Sequence, residues 1–276
     1  MKRQVKAPKG AQVKAPEPPK TEIREFGEAI RYMIEQMETR WRNQVFEQLH
    51  QRTVKKFADA QIGNFARVYL RLADKTRRKL LSQFDDKRLE QLAKKYTGKV
   101  NRRNRELFYK RAADKIGISA DELEATEGLT FQINAFQLET YQWLRKMRDD
   151  TMQMWTSQTL KDMAEGKTLP EILSQFDDMV EQRKGHAEMV AQTQISTFNS
   201  LVCKTRARNL GIEKAVWVTS HDERVRASHQ DRDGKEFNLA EGLYSSVDGK
   251  TLLPGIDYRC RCDYRMVIPT MEDENE

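Results

Sequence analysis

With 276 residues, the chain has room for one large domain or two modest ones. Charged residues make up 33% of it, the mean hydropathy is −0.82 and the net charge is +7. No window approaches the ~18 apolar residues of a membrane span, so no membrane partner is expected.

Four Trp and eleven Phe leave enough apolar surface for a core despite that charge. Lys and Arg near the N-terminus lead into Pro-rich sequence where a signal peptide would place its apolar segment, and the expectation is a soluble protein made in the cytosol. Cys203, Cys260 and Cys262 are odd in number, and the last two are too close for an ordinary bridge. A disulfide framework is therefore not expected.

Residues 1–20 carry six Lys/Arg against Glu17 and repeat Gln-Val-Lys-Ala-Pro at 4–8 and 12–16. Pro/Lys-rich sequence of this kind buries too little surface to offset chain entropy, so it reads as a disordered basic arm. Such an arm could bind nucleic acid, thread into a neighbour or simply solubilise. From Thr21 the texture is helical: Ile23, Phe26, Ile30, Met33, Met37, Trp41, Val45 and Leu49 recur at spacings of three and four. A second helical stretch is expected from Phe57 to Phe84, then one through Leu89 and Leu92 that breaks at Thr97 and Gly98. A short helix is expected over 106–115, stopped by Gly117, with a capping box at 119–122. Phe131 to Leu160 form another long apolar pattern running to Gly166.

Residues 67–111 hold sixteen Lys/Arg against five Asp/Glu. Arg77, Arg78, Lys79, Arg102, Arg103 and Arg105 are candidates there for contact with DNA or an acidic partner, though a solvated helix face reads equally well. The end of the chain, 271–276, is an acidic tail.

Past Gly166, Thr168 can cap a short helix with Pro170 in its first turn, and a further helix is expected over 184–209, ending before Gly211. Residues 215–219 are dense in β-formers, and Asp233-Gly234 and Asp248-Gly249 are tight-turn dipeptides. From 260 to 268 the chain alternates, with Cys260, Cys262, Tyr264, Met266 and Ile268 on one face of an expected strand. The fold class is thus mainly α with a small α+β C-terminal domain, long N-terminal helices and a disordered basic N-terminal arm. The expected division is arm 1–20, helical domain 21–160, C-terminal domain 161–270 and acidic tail 271–276.

His221, His229, Cys260 and Cys262 supply two imidazoles and two thiols, a donor set that zinc accepts, and a structural zinc would tie the loop after residue 219 to the last strand. Two buried thiols and a hydrogen-bonded histidine, with Asp222 paired to an arginine, is the other reading of the same residues. Arg224, Arg226 and Arg261 suit an anion, DNA or partner contact by their forked geometry, or equally an ion pair within the chain. A metal-dependent nuclease would need a second acidic cluster or a phosphate loop, and the sequence offers neither, so no enzyme is expected.

One composite block resembles the phage Mu F-type minor head family, also called phage head morphogenesis proteins. It comprises Trp217, then Asp222, Arg224, Val225, Arg226 and His229 as Asp-x-Arg-Val-Arg-x-x-His, and the closing Cys260, Arg261 and Cys262. Gly166 to Ile172 resembles the family's Gly-x-Ser/Thr-x-x-Glu-Ile turn, and Ala191, Thr193 and Asn199 resemble the helix before its Trp strand. Where members often carry Arg and Glu around that Thr, this chain has Gln192 and Gln194. The resemblance covers about residues 160–268. It implies a minor head protein of the virion, made in the host cytoplasm and taken into the procapsid. The partners it implies are the portal protein, major capsid or scaffolding proteins and double-stranded DNA, with a role in DNA delivery. The alternatives are a nucleic-acid-binding protein without assembly function and the metal-dependent nuclease.

Overall fold

The computed structural model describes residues 10–54, 62–117, 119–121 and 128–269. The protein is mainly helical with a small β-rich region toward its end, as the composition and periodicity imply. Helix α1 (Lys20–Trp41) passes through a π-helical turn (Arg42–Phe46) into α2 (Glu47–Val54), and every apolar position of the stripe from Phe26 to Leu49 is buried. The helices α3 (Ile62–Gln83), α4 (Asp86–Ile116), α5 (Thr130–Ala164) and α6 (Leu169–Asn209) follow.

Two helices are longer than the sequence implies. The break expected at Thr97 and Gly98 does not occur, and the short helix 106–115 is the end of α4. Gly98 costs a helix only about 1 kcal/mol, and Tyr96, Thr97 and Val100 are all buried around it, so packing wins over propensity. The two helices expected between 168 and 209 are likewise one, because buried Phe176, Val180, Ala187 and Ala191 carry the apolar stripe across Gly185. Thr168 does start it: Glu171 accepts from the Thr168 backbone N–H and hydroxyl, both at 2.7 Å. The capping box at 119–122, Phe57 and the acidic tail fall wholly or partly outside the described residues.

The chain divides into two compact units, and the boundary expected at 160/161 lies inside α5. Of the described residues, the helical unit takes those within 25–94 and 138–190, and the sheet unit those within 10–24, 95–137 and 191–269. In the helical unit, Trp155 meets Trp41 edge to face at 5.6 Å and Phe176 at 4.9 Å, while the Tyr69 hydroxyl donates to the Trp155 carbonyl at 3.2 Å. The Arg148 side chain, only 4% exposed, donates to the Phe84 carbonyl and to Asp86 and Asp149, closing the turn between α3 and α4.

The sheet unit holds an antiparallel sheet of order β1-β6-β2-β3, built from β1 (Gln12–Lys14), β2 (Lys214–Val218), β3 (Glu236–Asn238) and β6 (Asp263–Val267). Val13, Ala215, Trp217, Tyr264 and Met266 join one core with Phe108 and Ala112 of α4 and Cys203 and Ala207 of α6. Between β3 and β6, the hairpin β4 (Leu243–Ser245) and β5 (Lys250–Leu252) turns at Asp248-Gly249, where φ of +65° calls for glycine. The short helix α7 (Ala227–Arg232) precedes β3.

Part of the basic arm is built in. The first repeat copy, residues 4–8, lies outside the described residues, but the second forms β1, with Val13 opposite Met266 of β6. Alternation supplies the reason: Val13 and Ala15 are small apolar residues that bury to 2% and 1%, while Lys14 stays out. Arg111 donates to the Ala15 carbonyl at 2.7 Å and to Glu17 at 3.0 Å, and Asn199 donates to the Pro16 carbonyl at 2.6 Å.

Burial alone would raise the Glu17 pKa, but Lys14, its own backbone N–H and Arg111 outweigh it and hold the carboxyl near 2. Its folded value lies below the unfolded one, so its contribution is present above about pH 4.5 and fades as pH falls toward 2. Glu17→Gln is expected to lower stability at pH 7 by at most about 1 kcal/mol, since the carboxyl is partly solvated. Paired thermal melts against the parent should converge as pH drops from 5 to 3, and a constant difference would contradict this origin.

Candidate metal centre

The block from Trp217 to Cys262 folds around α7 and the entry to β6, within the sheet unit. The loop at 253–262 lies along α6: the Ser200 hydroxyl donates to the Pro254 carbonyl at 2.5 Å, and Thr197 reaches the Ile256 carbonyl at 3.4 Å. A Cβ on Gly255 would sit 3.2 Å from the Ser200 Cβ and 3.3 Å from the Ser196 carbonyl oxygen, and φ there is +86°, so glycine permits this approach. Arg259 then takes a left-handed φ of +51° while its N–H meets the Thr193 hydroxyl at 3.3 Å. That turn delivers Cys260 and Cys262 to the buried side and Arg259 and Arg261 to solvent. The alternation foreseen from residue 260 holds, although β6 itself begins at Asp263.

Three of the four expected ligands meet. His229 Nδ1 lies 3.3 Å from Cys262 Sγ and 3.7 Å from Cys260 Sγ, and the three donor atoms fall within 4.8 Å of one another. All three side chains are buried. His221 is not among them: it sits at φ +51°, its side chain 66% exposed, with Nδ1 3.3 Å from the Thr219 hydroxyl and 3.5 Å from Asp233. The left-handed turn swings it to the surface. A residue the sequence does not flag takes part instead, Asp257, whose Oδ2 lies 3.1 Å from His229 Nε2. Nothing in spacing points to Asp257; only the turn at 254–260 brings it there.

The electrostatics of the cluster run in opposite directions at the two thiols. Cys262 donates toward Cys260 and, with His229 and the N–H groups of Cys262 and Gly255, draws the Cys260 pKa down. The same partnership with Cys260, together with burial, pushes Cys262 up. Contact with Cys260 raises His229, helped by Asp257 against burial. Trp217 covers the imidazole, its ring 5.7 Å away and edge-on.

The arginines of the block are largely paired within the chain. Arg261 grips Asp222 with both terminal nitrogens, at 2.5 and 2.8 Å, and holds its carboxyl below the usual range. Arg226 binds Asp257 and the Tyr258 carbonyl. Arg224 is exposed, with its backbone N–H on Asp222 at 3.0 Å. Sequence reasoning missed Arg232, whose side chain is fully buried. It donates to the carbonyls of Ser228, Leu243 and Lys250 and to both Asp248 oxygens, with its guanidinium 5.4 Å from the Trp217 ring centre.

The basic candidates upstream fall in different units. Arg77, Arg78 and Lys79 are exposed on α3, where Arg71, Asp74, Lys75, Arg78 and Lys79 line an open recess of about 550 Å³. Arg102 and Arg103 are exposed on α4, with Arg103 3.7 Å from Glu22, and Arg105 is half-buried.

Residues 155–265 match the family described as Phage Mu protein F like protein. An uncharacterized protein of Haemophilus influenzae is 29% identical over 154 residues, covering 56% of this chain and 32% of its own. A protein of Enterococcus faecalis named NAD(+)--arginine ADP-ribosyltransferase EFV is 28% identical over 146 residues, 48% of this chain and 30% of its own. The chain thus spans about a third of the length of these relatives. No solved structure matches it.

Proposed function

Starting from a chain whose residues 155–265 are Mu F-like, we propose that it acts in phage head morphogenesis as a minor head protein taken into the procapsid. The match carries this reading. It includes Trp217, His229, Cys260 and Cys262, which build a buried architectural centre, and the tail of the helical unit from Trp155. Assembly contacts are assigned to portal and other head proteins through the upstream helices, and a role in DNA delivery follows from the same reading. We assign no catalysis: the two thiols and the imidazole are only 2–4% exposed, which leaves a substrate little access. Tagging the chain in an induced phage culture tests this. It should sediment with heads and co-purify with portal, whereas its absence from purified heads would refute the assignment.

The finer proposal is that the exposed basic face of α3 touches packaged DNA. Arg71, Lys75, Arg78 and Lys79 recur at helical spacing around the recess. Four phosphate contacts imply a slope of log K against log[salt] of roughly −3 to −4. Replacing all four by alanine should flatten that slope to near zero in filter binding with duplex DNA. An unchanged slope would move the DNA contact elsewhere, and no binding by the parent chain would leave docking on head proteins as the role of this face.

A further inference from the structure

We propose that His229 Nδ1 and the sulfurs of Cys260 and Cys262 bind one zinc ion that fastens α7 to the segment entering β6. Zinc takes imidazole nitrogen at roughly 2.0–2.1 Å and thiolate sulfur at roughly 2.3 Å, so tetrahedral angles put an N···S edge at about 3.6 Å. The observed edges of 3.3 and 3.7 Å bracket that value. The third edge, sulfur to sulfur, is no longer than 4.8 Å.

The surroundings are those of a metal thiolate. Cys260 Sγ receives the backbone N–H of Gly255 at 3.3 Å and of Cys262 at 3.4 Å, donors that orient and stabilise a charged sulfur. His229 Nε2 engages Asp257, which fixes the tautomer that leaves Nδ1 free to ligate, and Arg226 in turn holds Asp257. Two thiolates and a divalent ion sum to zero charge, which suits a buried position. Among the described residues three donors converge, which leaves one tetrahedral position for a water. His221, the other sequence candidate, is turned out to solvent and is excluded from the set.

The site also answers a structural need. Strands β3, β4 and β5 are three residues each, and His229 lies about thirty residues before the cysteines, so a metal links parts that the sheet pairs weakly.

The test uses the full chain purified without added metal or chelator. Elemental analysis should find about one zinc per chain, and a strong chelator should lower the melting temperature until zinc is returned. His229→Ala and Cys262→Ser should each drop the zinc content at least tenfold, while Cys203→Ala, which changes the remaining thiol, should keep it. A metal-free chain whose melting is indifferent to added zinc would overturn the site, and so would zinc retained when all three ligands are replaced. If the variants do not fold, zinc content and chelator response of the parent chain decide. Neither readout depends on incorporation into heads, so this inference and the assembly reading fail separately.

Discussion

Replacing Arg232 by methionine should loosen the C-terminal end of the sheet unit by about 3–5 kcal/mol, the range for removing one partner of a buried ion pair. The residue is fully buried, yet its guanidinium is satisfied: three backbone carbonyls and the two oxygens of Asp248 accept its protons. These acceptors come from α7, β4, the β4–β5 turn and β5, so one side chain ties α7 to the whole β4–β5 hairpin. Arg232 in turn holds the Asp248 carboxyl well below the usual carboxylate range. Methionine fills similar volume but takes the guanidinium donors away from those carbonyls and from the carboxylate, which keeps the Lys250 N–H at 3.1 Å. Lysine should rescue little, because a point-like ammonium with three donors cannot span a bidentate carboxylate and carbonyls on different elements. Hydrogen exchange over residues 227–252 reads this locally. Protection that survives Arg232→Met would show that the hairpin stands without its clamp.

The second large effect belongs to the helical unit. Trp155→Ala removes a fully buried indole that packs edge-on to Trp41 at 5.6 Å and tilted on Phe176 at 4.9 Å. Large-to-alanine replacement at such sites costs roughly 3–5 kcal/mol, the lost transfer energy plus the cavity left behind. Phe176 also sits 4.9 Å from Phe46 and under Arg42 at 5.0 Å, so its ring has limited room to collapse inward. Trp155→Phe should recover more than half of the loss, since the aromatic contacts persist in part. Exchange in peptides from α1 and α6 is the readout. A loss below about 1 kcal/mol for the alanine variant would mean the unit repacks.

Much of this was readable in the sequence wherever a regular period carried the information. The stripe from Phe26 to Leu49 and the alternation of Cys260, Cys262, Tyr264, Met266 and Ile268 reflect one-sided burial, which leaves a period of 3.6 or 2. The pairing of the cysteines on one buried face was legible for the same reason. Continuity of α4 and α6 was not, because a single glycine weighs in local propensity while the packing that overrides it comes from distant residues. Nor was the choice between His221 and His229, which rests on one left-handed turn at His221. Asp257, Arg232 and the Arg206–Asn104–Asn199 chain of hydrogen bonds, at 2.5 and 2.8 Å, act across large sequence separations. No spacing rule reaches them. The strand β1 was hidden by the prolines and lysines around it, with Val13 and Ala15 the small apolar side chains that enter the core there.

The place of β6 in the sheet sets an order on synthesis. β6 lies between β1 and β2, so residues 12–14 wait for residues 263–267 as their partner strand, and residues 214–218, already beside β3, wait for them as their second. A ribosome releases the N-terminal strand some 250 residues before the strand that receives it. Until then Val13 and Trp217 have no completed sheet to bury them, and the loop to be closed is nearly the whole described chain. The sheet unit is therefore assembled last, by the arrival of its central strand, and only a chain translated through residue 267 presents the finished form.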